Sequence, residues 1–452
     1  MLKVSDIVRE GKGILLQGDL EQVCGNFSID TRTINNGEVY VAIIGEDLDG
    51  NDYVFDAIDK GASICIISKK LDIPKKEGLS IIYVEDTIIC LKNLARYIIS
   101  NFKGKIVGIT GSVGKTSTKD MLYSVVKTKY KTLATNGSFN NDIGLPLTIL
   151  RYTDEEVMIL EMGMNGMGEI KELTSVASPD IAIITNIGTA HIGLLGSREN
   201  ILKAKLEIKE GSKKDAKLII NNDNDMLHKY YLDNINDKSI ITVGIDNDSL
   251  YKAEDVNIYS DYSTFVVNND KFKVNVGTKV FVYNALIAYA LGHILGISDD
   301  LIEEGIENFT LSKKRLDIKT NKKGVVIIDD TYNANFDSMK AGLEVLGKRN
   351  EQRKIAVLGD MRELGEYSIQ LHRDLADEVI KNNIDILVCV GHEMKYLEDE
   401  MKKKNSDVKV YSFDKNTDTH EFLDNLLKKG DVVLFKSSKL TNLTEVVIYL
   451  MK

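Results

Sequence analysis

The stretch Ile106-Val107-Gly108-Ile109-Thr110-Gly111-Ser112-Val113-Gly114-Lys115-Thr116-Ser117 determines how the rest of the chain is read. Its apolar start suits a strand buried on both faces of a parallel sheet, and a long helix is expected from about Thr116. Between them, glycines allow a turn in which successive backbone N–H groups and a helix amino terminus face one concavity, a geometry that holds phosphate oxygens. Gly111, Ser112, Val113, Gly114, Lys115, Thr116 and Ser117 are therefore expected to bind a nucleotide. Lys115 would reach its outer phosphates, and the Thr116 hydroxyl would ligate magnesium. The spacing departs from the strict Walker pattern, because Ile109 stands six before Lys115 and the glycine comes one earlier. The strand-turn-helix context carries the reading.

A phosphate site of this kind needs acidic or imidazole groups for its metal, at the carboxyl ends of neighbouring strands. Glu161 ends the apolar run Val157-Met158-Ile159-Leu160, and His191 closes Thr185-Asn186-Ile187-Gly188-Thr189-Ala190, which follows another such run. Each alone reads equally well as a cap or a satisfied loop histidine. Their joint placement after the phosphate loop points to metal ligation. The loop from Thr135 to Gly144 includes Asn136, Asn140 and Asn141. Amides there can contact a carbonyl or phosphoryl oxygen without adding charge, although composition alone favours a simple turn.

Outward from this motif, the chain reads as α/β in three domains, in keeping with 452 residues at about 150 per domain. Residues 1–102 pair strand-like runs at Glu38 to Ile44, Ser63 to Ser68 and Ser80 to Val84 with helical stretches at 53–60 and 87–101, giving a small α/β domain. Residues 103–312 are expected to form a central P-loop domain on a mostly parallel sheet, with further strands near 156–160, 181–185 and 217–220. A more β-rich stretch and helices around 281–309 follow. Residues 313–452 restart the alternation, with strands near 325–328, 355–358, 386–390, 408–411 and 432–435, the pattern of a Rossmann-like doubly wound sheet. The apolar run from Val280 to Ile297 is read as a buried helix, since Asn284 and His293 interrupt it and Asp299 and Asp300 follow.

Composition narrows the function classes. Lys plus Arg number 58 against 68 Asp plus Glu, a net charge of −10, which argues against a nucleic-acid backbone binder. The four cysteines lack metal-ligand spacing and read as small buried hydrophobes in a reducing compartment. The amino terminus shows no signal-peptide core, so a cytoplasmic protein without membrane insertion is expected.

The motifs together resemble the Mur ligases. Gly111-x-x-Gly114-Lys115-Thr116, Glu161-Met162-Gly163, the run ending at His191, Gly196-Ser197 and Ala204-Lys205-x-Glu207-Ile208 look like that family's central domain. Asp329-Asp330-Thr331-Tyr332-Asn333-Ala334-Asn335 and Gly359-Asp360-Met361-x-Glu363-Leu364-Gly365, with His372, resemble its third domain in the form that accepts D-alanyl-D-alanine. Asp30-Thr31-Arg32 fits the first domain, so the resemblance covers essentially the whole chain.

The resemblance implies an ATP-dependent amide ligase of peptidoglycan precursor synthesis that uses UDP-N-acetylmuramoyl-tripeptide and D-alanyl-D-alanine. The tripeptide carboxylate would attack the γ-phosphate, and the dipeptide amine would then attack the acyl phosphate. Two magnesium ions are implied, held by Thr116, Glu161, His191 and Lys205, the last as a carbamate formed with carbon dioxide. Lys115, Lys205, His191, Asn140 and Asn141 are the implied catalytic groups. Thr31 and Arg32 would hold uridine in domain 1–102, and Asn284 adenine. Arg315 and Asp330 would contact ribose or phosphate, and Tyr332, Asn333 and Asn335 would hold the dipeptide in domain 313–452. A monomer is expected.

Three positions depart from the family pattern. Phe336 replaces the usual proline after Asn335, which implies a less rigid turn. Thr278 and Val280 stand where a glycine and a histidine of the adenine contact are expected. Near the end, Lys436-Ser437-Ser438-Lys439 stands for a Lys-Gly-Ser-Arg type motif, with Lys439 in place of the arginine. A Mur-type ligase with another acceptor, a folylpolyglutamate synthetase and a P-loop ATPase that forms no amide bond remain as alternatives. Acceptor-dependent ATP turnover separates them.

Overall fold

A computed structural model describes residues 2–452. The apolar runs become strands buried on both faces: Val157–Glu161 and Ile181–Ile184 are buried along their whole length. The central sheet is all parallel and runs Tyr251–Lys252, Ile240–Gly244, Lys217–Asn221, Ile181–Ile184, Lys105–Thr110, Val157–Glu161, Thr132–Ala134. Strand Lys105–Thr110 therefore lies between the strands that end at Glu161 and Ile184, and the order reverses there. This is the switch point at which open α/β sheets leave a crevice beyond their carboxyl ends.

The N-terminal sheet runs Ile14–Gln17, Ser80–Tyr83, Ile64–Ile67, Val39–Val41, Phe27–Ser28, parallel except for its first pair. The C-terminal sheet runs Asp317–Thr320, Val326–Asp329, Asp431–Lys436, Arg353–Gly359, Ile386–Val390, Lys409–Phe413, with only its first pair antiparallel. The β-rich stretch is a separate antiparallel sheet of Glu254–Ile258, Ser263–Val267 and Asp270–Val274.

Several strands carry no strong sequence signal. Ile14–Gln17, Phe27–Ser28, Thr132–Ala134 and Asp317–Thr320 are short edge strands with at least one half-open face, and so lack a continuous apolar run. The expected strand from Glu38 to Ile44 shortens to Val39–Val41, because the chain turns back on itself at Ile43, whose carbonyl accepts from the Gly50 amide.

The helix Lys279–Ile294 is buried over most of its length and packs on the helix Lys115–Val126. Among the described residues no helix is long and apolar enough to cross a membrane. All four cysteines are free and buried, and burial pushes the Cys65 and Cys90 thiols up to about 12.

Candidate active site

The phosphate loop is held from both sides. Gly114 begins the helix Lys115–Val126 at φ 81, where a side chain would be strained. At Gly111 an added Cβ would lie 1.9 Å from Thr185 Oγ1. The motif Thr185-Asn186-Ile187-Gly188 braces the loop. The Ser112 amide donates to Asn186 O (3.1 Å) and the Val113 amide to Asn186 Oδ1 (3.0 Å), while Thr185 Oγ1 donates to Val113 O (2.7 Å) and the Gly188 amide to Ser112 Oγ (2.9 Å). Lys115 folds back so that Nζ donates to Gly111 O at 2.8 Å, and burial lowers its pKa. The Lys115 side chain lines the cavity.

Glu161 is 2% exposed at the end of its strand. Its Oε2 accepts from Thr116 Oγ1 and its Oε1 from Asn140 Nδ2, each at 2.8 Å. The Thr116 hydroxyl and the Glu161 carboxylate thus converge as hard oxygen donors, with the Asn140 amide holding the carboxylate in place. This suits magnesium, which takes one or two protein oxygens and completes its shell with phosphate and water. Among the described residues no three His, Cys, Asp or Glu side chains form a preformed cage. His191 lines the same cavity at φ 62, with Nδ1 2.6 Å from Glu363 Oε2 of the C-terminal domain. That pairing holds the Glu363 carboxyl below its usual range.

Lys205, on the helix Arg198–Glu210, is 1% exposed. Burial, and then the charge of Lys115, push its pKa well down, and no carboxylate offsets either effect. A buried ammonium without a counter-ion is costly, so these surroundings disfavour the charged form. Glu207, two positions along the same helix, is engaged elsewhere. Its Oε1 and Oε2 accept from the Gly168 and Lys171 amides (2.7 and 3.1 Å) and cap the helix Glu169–Ala177.

The cavity, about 280 Å³, is lined by the phosphate loop from Ser112 to Ser117, by Asn140, Glu161 and His191, and by Arg315, Asp330, Tyr332, Asn333 and Asn335. Arg315 stacks on Tyr332, its guanidinium carbon 4.0 Å from the ring centre. Lys436 is buried and donates from Nζ to Asp330 Oδ2 (2.6 Å) and Asn333 O (3.2 Å), while burial raises the Asp330 pKa. Lys436, Glu363, Ser138 and Met164 also line the cavity or pair with its groups, although the sequence does not single them out as site residues. The first two lie inside family-like motifs and Ser138 inside the amide-rich loop; nothing in the sequence marks Met164.

Some expected residues stand elsewhere. Asn284 is buried, accepts from Thr118 Oγ1 at 2.9 Å and leaves Nδ2 without a partner, behind the cavity wall and not on it. Asn141 stands in the turn before the helix Gly144–Ile149, its Oδ1 accepting from the Gly144 amide at 2.8 Å. Thr31 and Arg32 lie on a turn of the N-terminal domain, where Arg32 is largely exposed and paired with Asp30; they do not line this cavity. At the departures, Asn335 and Ser338 form a reciprocal cap (2.9 and 3.1 Å) that ties down the turn despite Phe336. Thr278 caps its helix, Val280 lines the cavity, and Lys439 is exposed.

Residues 109–292 match the family described as Mur ligase middle domain, and residues 314–439 the one described as Mur ligase, glutamate ligase domain. A UDP-N-acetylmuramoyl-tripeptide–D-alanyl-D-alanine ligase of Bacillus subtilis strain 168 is 34% identical over 449 residues, 98% of this chain and 97% of its own length. Among solved structures, a MurF of Acinetobacter baumannii superposes with a TM-score of 0.88 at 28% identity, covering 99% of this chain and 98% of that one. A MurF ligase of Thermotoga maritima in complex with ADP gives a TM-score of 0.79 at 29% identity, covering 94% and 97%.

Proposed function

This chain belongs to the Mur ligase family, and from that premise we propose that it is the ATP-dependent ligase joining D-alanyl-D-alanine to UDP-N-acetylmuramoyl-tripeptide. One observation carries the reading: a single cavity is lined at once by the phosphate loop, by Asn140 and Glu161, and by Tyr332, Asn333 and Asn335. A phosphorylating centre and an acceptor-holding motif therefore share one space, which an ATPase without an acceptor does not require. ATP as co-substrate accords with the ADP complex of the Thermotoga relative.

In the proposed reaction the tripeptide carboxylate oxygen bonds to the γ-phosphorus as the bridging oxygen leaves with ADP. The neutral dipeptide amine then adds to the acyl carbon, phosphate departs and the amine proton is lost. Phosphoryl transfer depends on positioning and charge neutralisation. The amides of the phosphate loop and the Lys115 ammonium would supply both. Thr116, Glu161 and His191 would hold magnesium, whose role is to neutralise charge on the phosphates. Asn140, already fixed by Glu161, would stand at the reacting acyl group. Arg315 and Asp330 would contact the nucleotide, and Asn284 would reach adenine only by turning its free Nδ2.

Lys205 fits carbamylation for a reason visible in its surroundings: burial without a counter-ion disfavours its ammonium, and the neutral amine is the form that adds carbon dioxide, losing one proton to give a carbamate. Its oxygens would serve the second magnesium. The divisions at 102/103 and 312/313 are supported by each large sheet lying within one segment. Uridine binding at Thr31 and Arg32 rests on the family pattern. The reading takes the active form as a monomer working in the cytoplasm, where its nucleotide substrates are found.

The test is phosphate release by the full chain against a matrix of nucleotide-peptides and acceptors. Turnover should require UDP-N-acetylmuramoyl-tripeptide and D-alanyl-D-alanine together. Turnover with a single amino acid in place of the dipeptide would reject the acceptor assignment.

A further inference from the structure

Several contacts of the C-terminal domain with the central domain fall on one short segment, which continues directly from the brace of the phosphate loop. On the C-terminal side, Asp337 Oδ2 accepts from both the Thr189 amide (2.7 Å) and Thr189 Oγ1 (2.9 Å). The approach is close enough that a Cβ on Gly188 would lie 2.2 Å from that same oxygen. Next along, the Gly193 amide donates to Glu363 O at 3.0 Å, and Tyr367 Oη donates to Gly196 O at 2.7 Å. On the central side, the Gly188 amide donates to Ser112 Oγ, and Asn186 holds the Ser112 and Val113 amides. Asp337 lies in the first turn of the helix Phe336–Gly347, whose cap, Asn335, ends the motif Tyr332-Asn333-Ala334-Asn335.

We propose that the segment Asn186 to Gly193 couples the seating of the C-terminal domain to the shape of the phosphate loop, and that Asp337 is the positioning residue that makes the link. The link is two hydrogen-bonded steps long: Asp337 to Thr189, and the adjoining Gly188 to Ser112. Both steps are made by backbone groups of a segment with no slack at Gly188, so a displacement of the helix Phe336–Gly347 is passed on to the phosphate loop. A charged acceptor receiving two hydrogen bonds is the strong member of such contacts. In consequence, ordering of the C-terminal domain around its acceptor tightens the nucleotide site, and nucleotide binding favours the seated domain to the same degree. The acceptor half of this statement rests on the function proposed above; the nucleotide half does not.

The experiment uses the full-length protein and its variants Asp337→Ala, Asp337→Asn, Thr189→Val and the double variant Asp337→Ala/Thr189→Val. Fluorescently labelled ADP reads nucleotide affinity directly, and initial rates read kcat/KM for D-alanyl-D-alanine. Asp337→Ala should weaken ADP binding by about tenfold, within the usual range of inter-site coupling, although Asp337 lies outside the phosphate loop. Asp337→Asn should recover most of the loss, because its Oδ1 can accept from the same two donors. The double variant should be no weaker than Asp337→Ala alone, since both changes cut one link. Thr189→Val keeps the amide bond, so its loss should be smaller, about threefold; it carries the test if Asp337→Ala does not fold. ADP affinity within about twofold of the parent in Asp337→Ala or, should that variant not fold, in Thr189→Val, or additive losses in the double variant, would overturn the coupling. A parent enzyme that ignores D-alanyl-D-alanine would instead refute the proposed function and leave the ADP arm of the test intact.

Discussion

Among single residues, Lys205 and Lys203 make the most informative pair. Two positions apart on a helix means about 200° of rotation, and the structure resolves this into one buried and one exposed lysine. For an arbitrary lysine in so charged a stretch the ordinary expectation is a solvated side chain; at Lys205 the fold removes the water and supplies no carboxylate. If the amine carries a carbamate, Lys205→Ala should lose most activity while Lys203→Ala should retain it. Added formate or acetate should partly restore Lys205→Ala by returning oxygen ligands. Equal tolerance of both changes, or an unmodified Lys205 in a metal-loaded crystal, would dispose of the carbamate.

Among the elements, the loop Asp360 to Gly365 shows how a buried histidine can hold a functional turn. His372 is fully buried on the helix Ser368–Lys381. Its Nε2 accepts from the Met361 amide at 3.1 Å, and its Nδ1 lies 2.8 Å from Ser368 O and so donates to it. Both ring nitrogens are thereby committed to the neutral form, and burial lowers the pKa from its ordinary 6.5. The direction for stability follows from proton counting. Below about 6.5 the unfolded chain binds a proton that the folded chain refuses, so this contribution is intact above that pH and is lost as pH falls. The slope from one such group is at most about 1.4 kcal/mol per pH unit. Urea midpoints at pH 7, 6 and 5 should therefore fall more steeply for the parent than for His372→Gln, which starts less stable but cannot titrate. Parallel declines would show that this histidine does not set the slope.

Across the whole molecule, the central and C-terminal domains each line part of one cavity, and the C-terminal domain brings Tyr332, Asn333 and Asn335 together with Glu363, the partner of His191. A chain ending after Leu311 should still bind the uridine nucleotide through its first domain but form no amide bond, since nothing would hold the dipeptide beside the acyl phosphate. Direct binding of the nucleotide-peptide and a product assay check the two halves separately. Product formation at the parental rate by the shortened chain would reject the division of labour.

The phosphate loop, the three-part α/β alternation, the buried character of the helix after Thr278, and the placing of Glu161 and His191 beyond strand ends were all legible in the amino-acid order. Each is encoded within a dozen or so neighbouring residues, in periodicity, glycine placement and apolar runs. Other features emerge only from the folded chain: Asp337 on Thr189, Glu363 on His191, Lys436 on Asp330, the retreat of Asn284 behind the cavity wall, and the edge strands. Side-chain periodicity assigns a residue to a face and does not say which distant residue it meets there. Asp337 and Thr189 are 148 positions apart and lie in domains with separate sheets, so only the docking of one domain on the other brings them together.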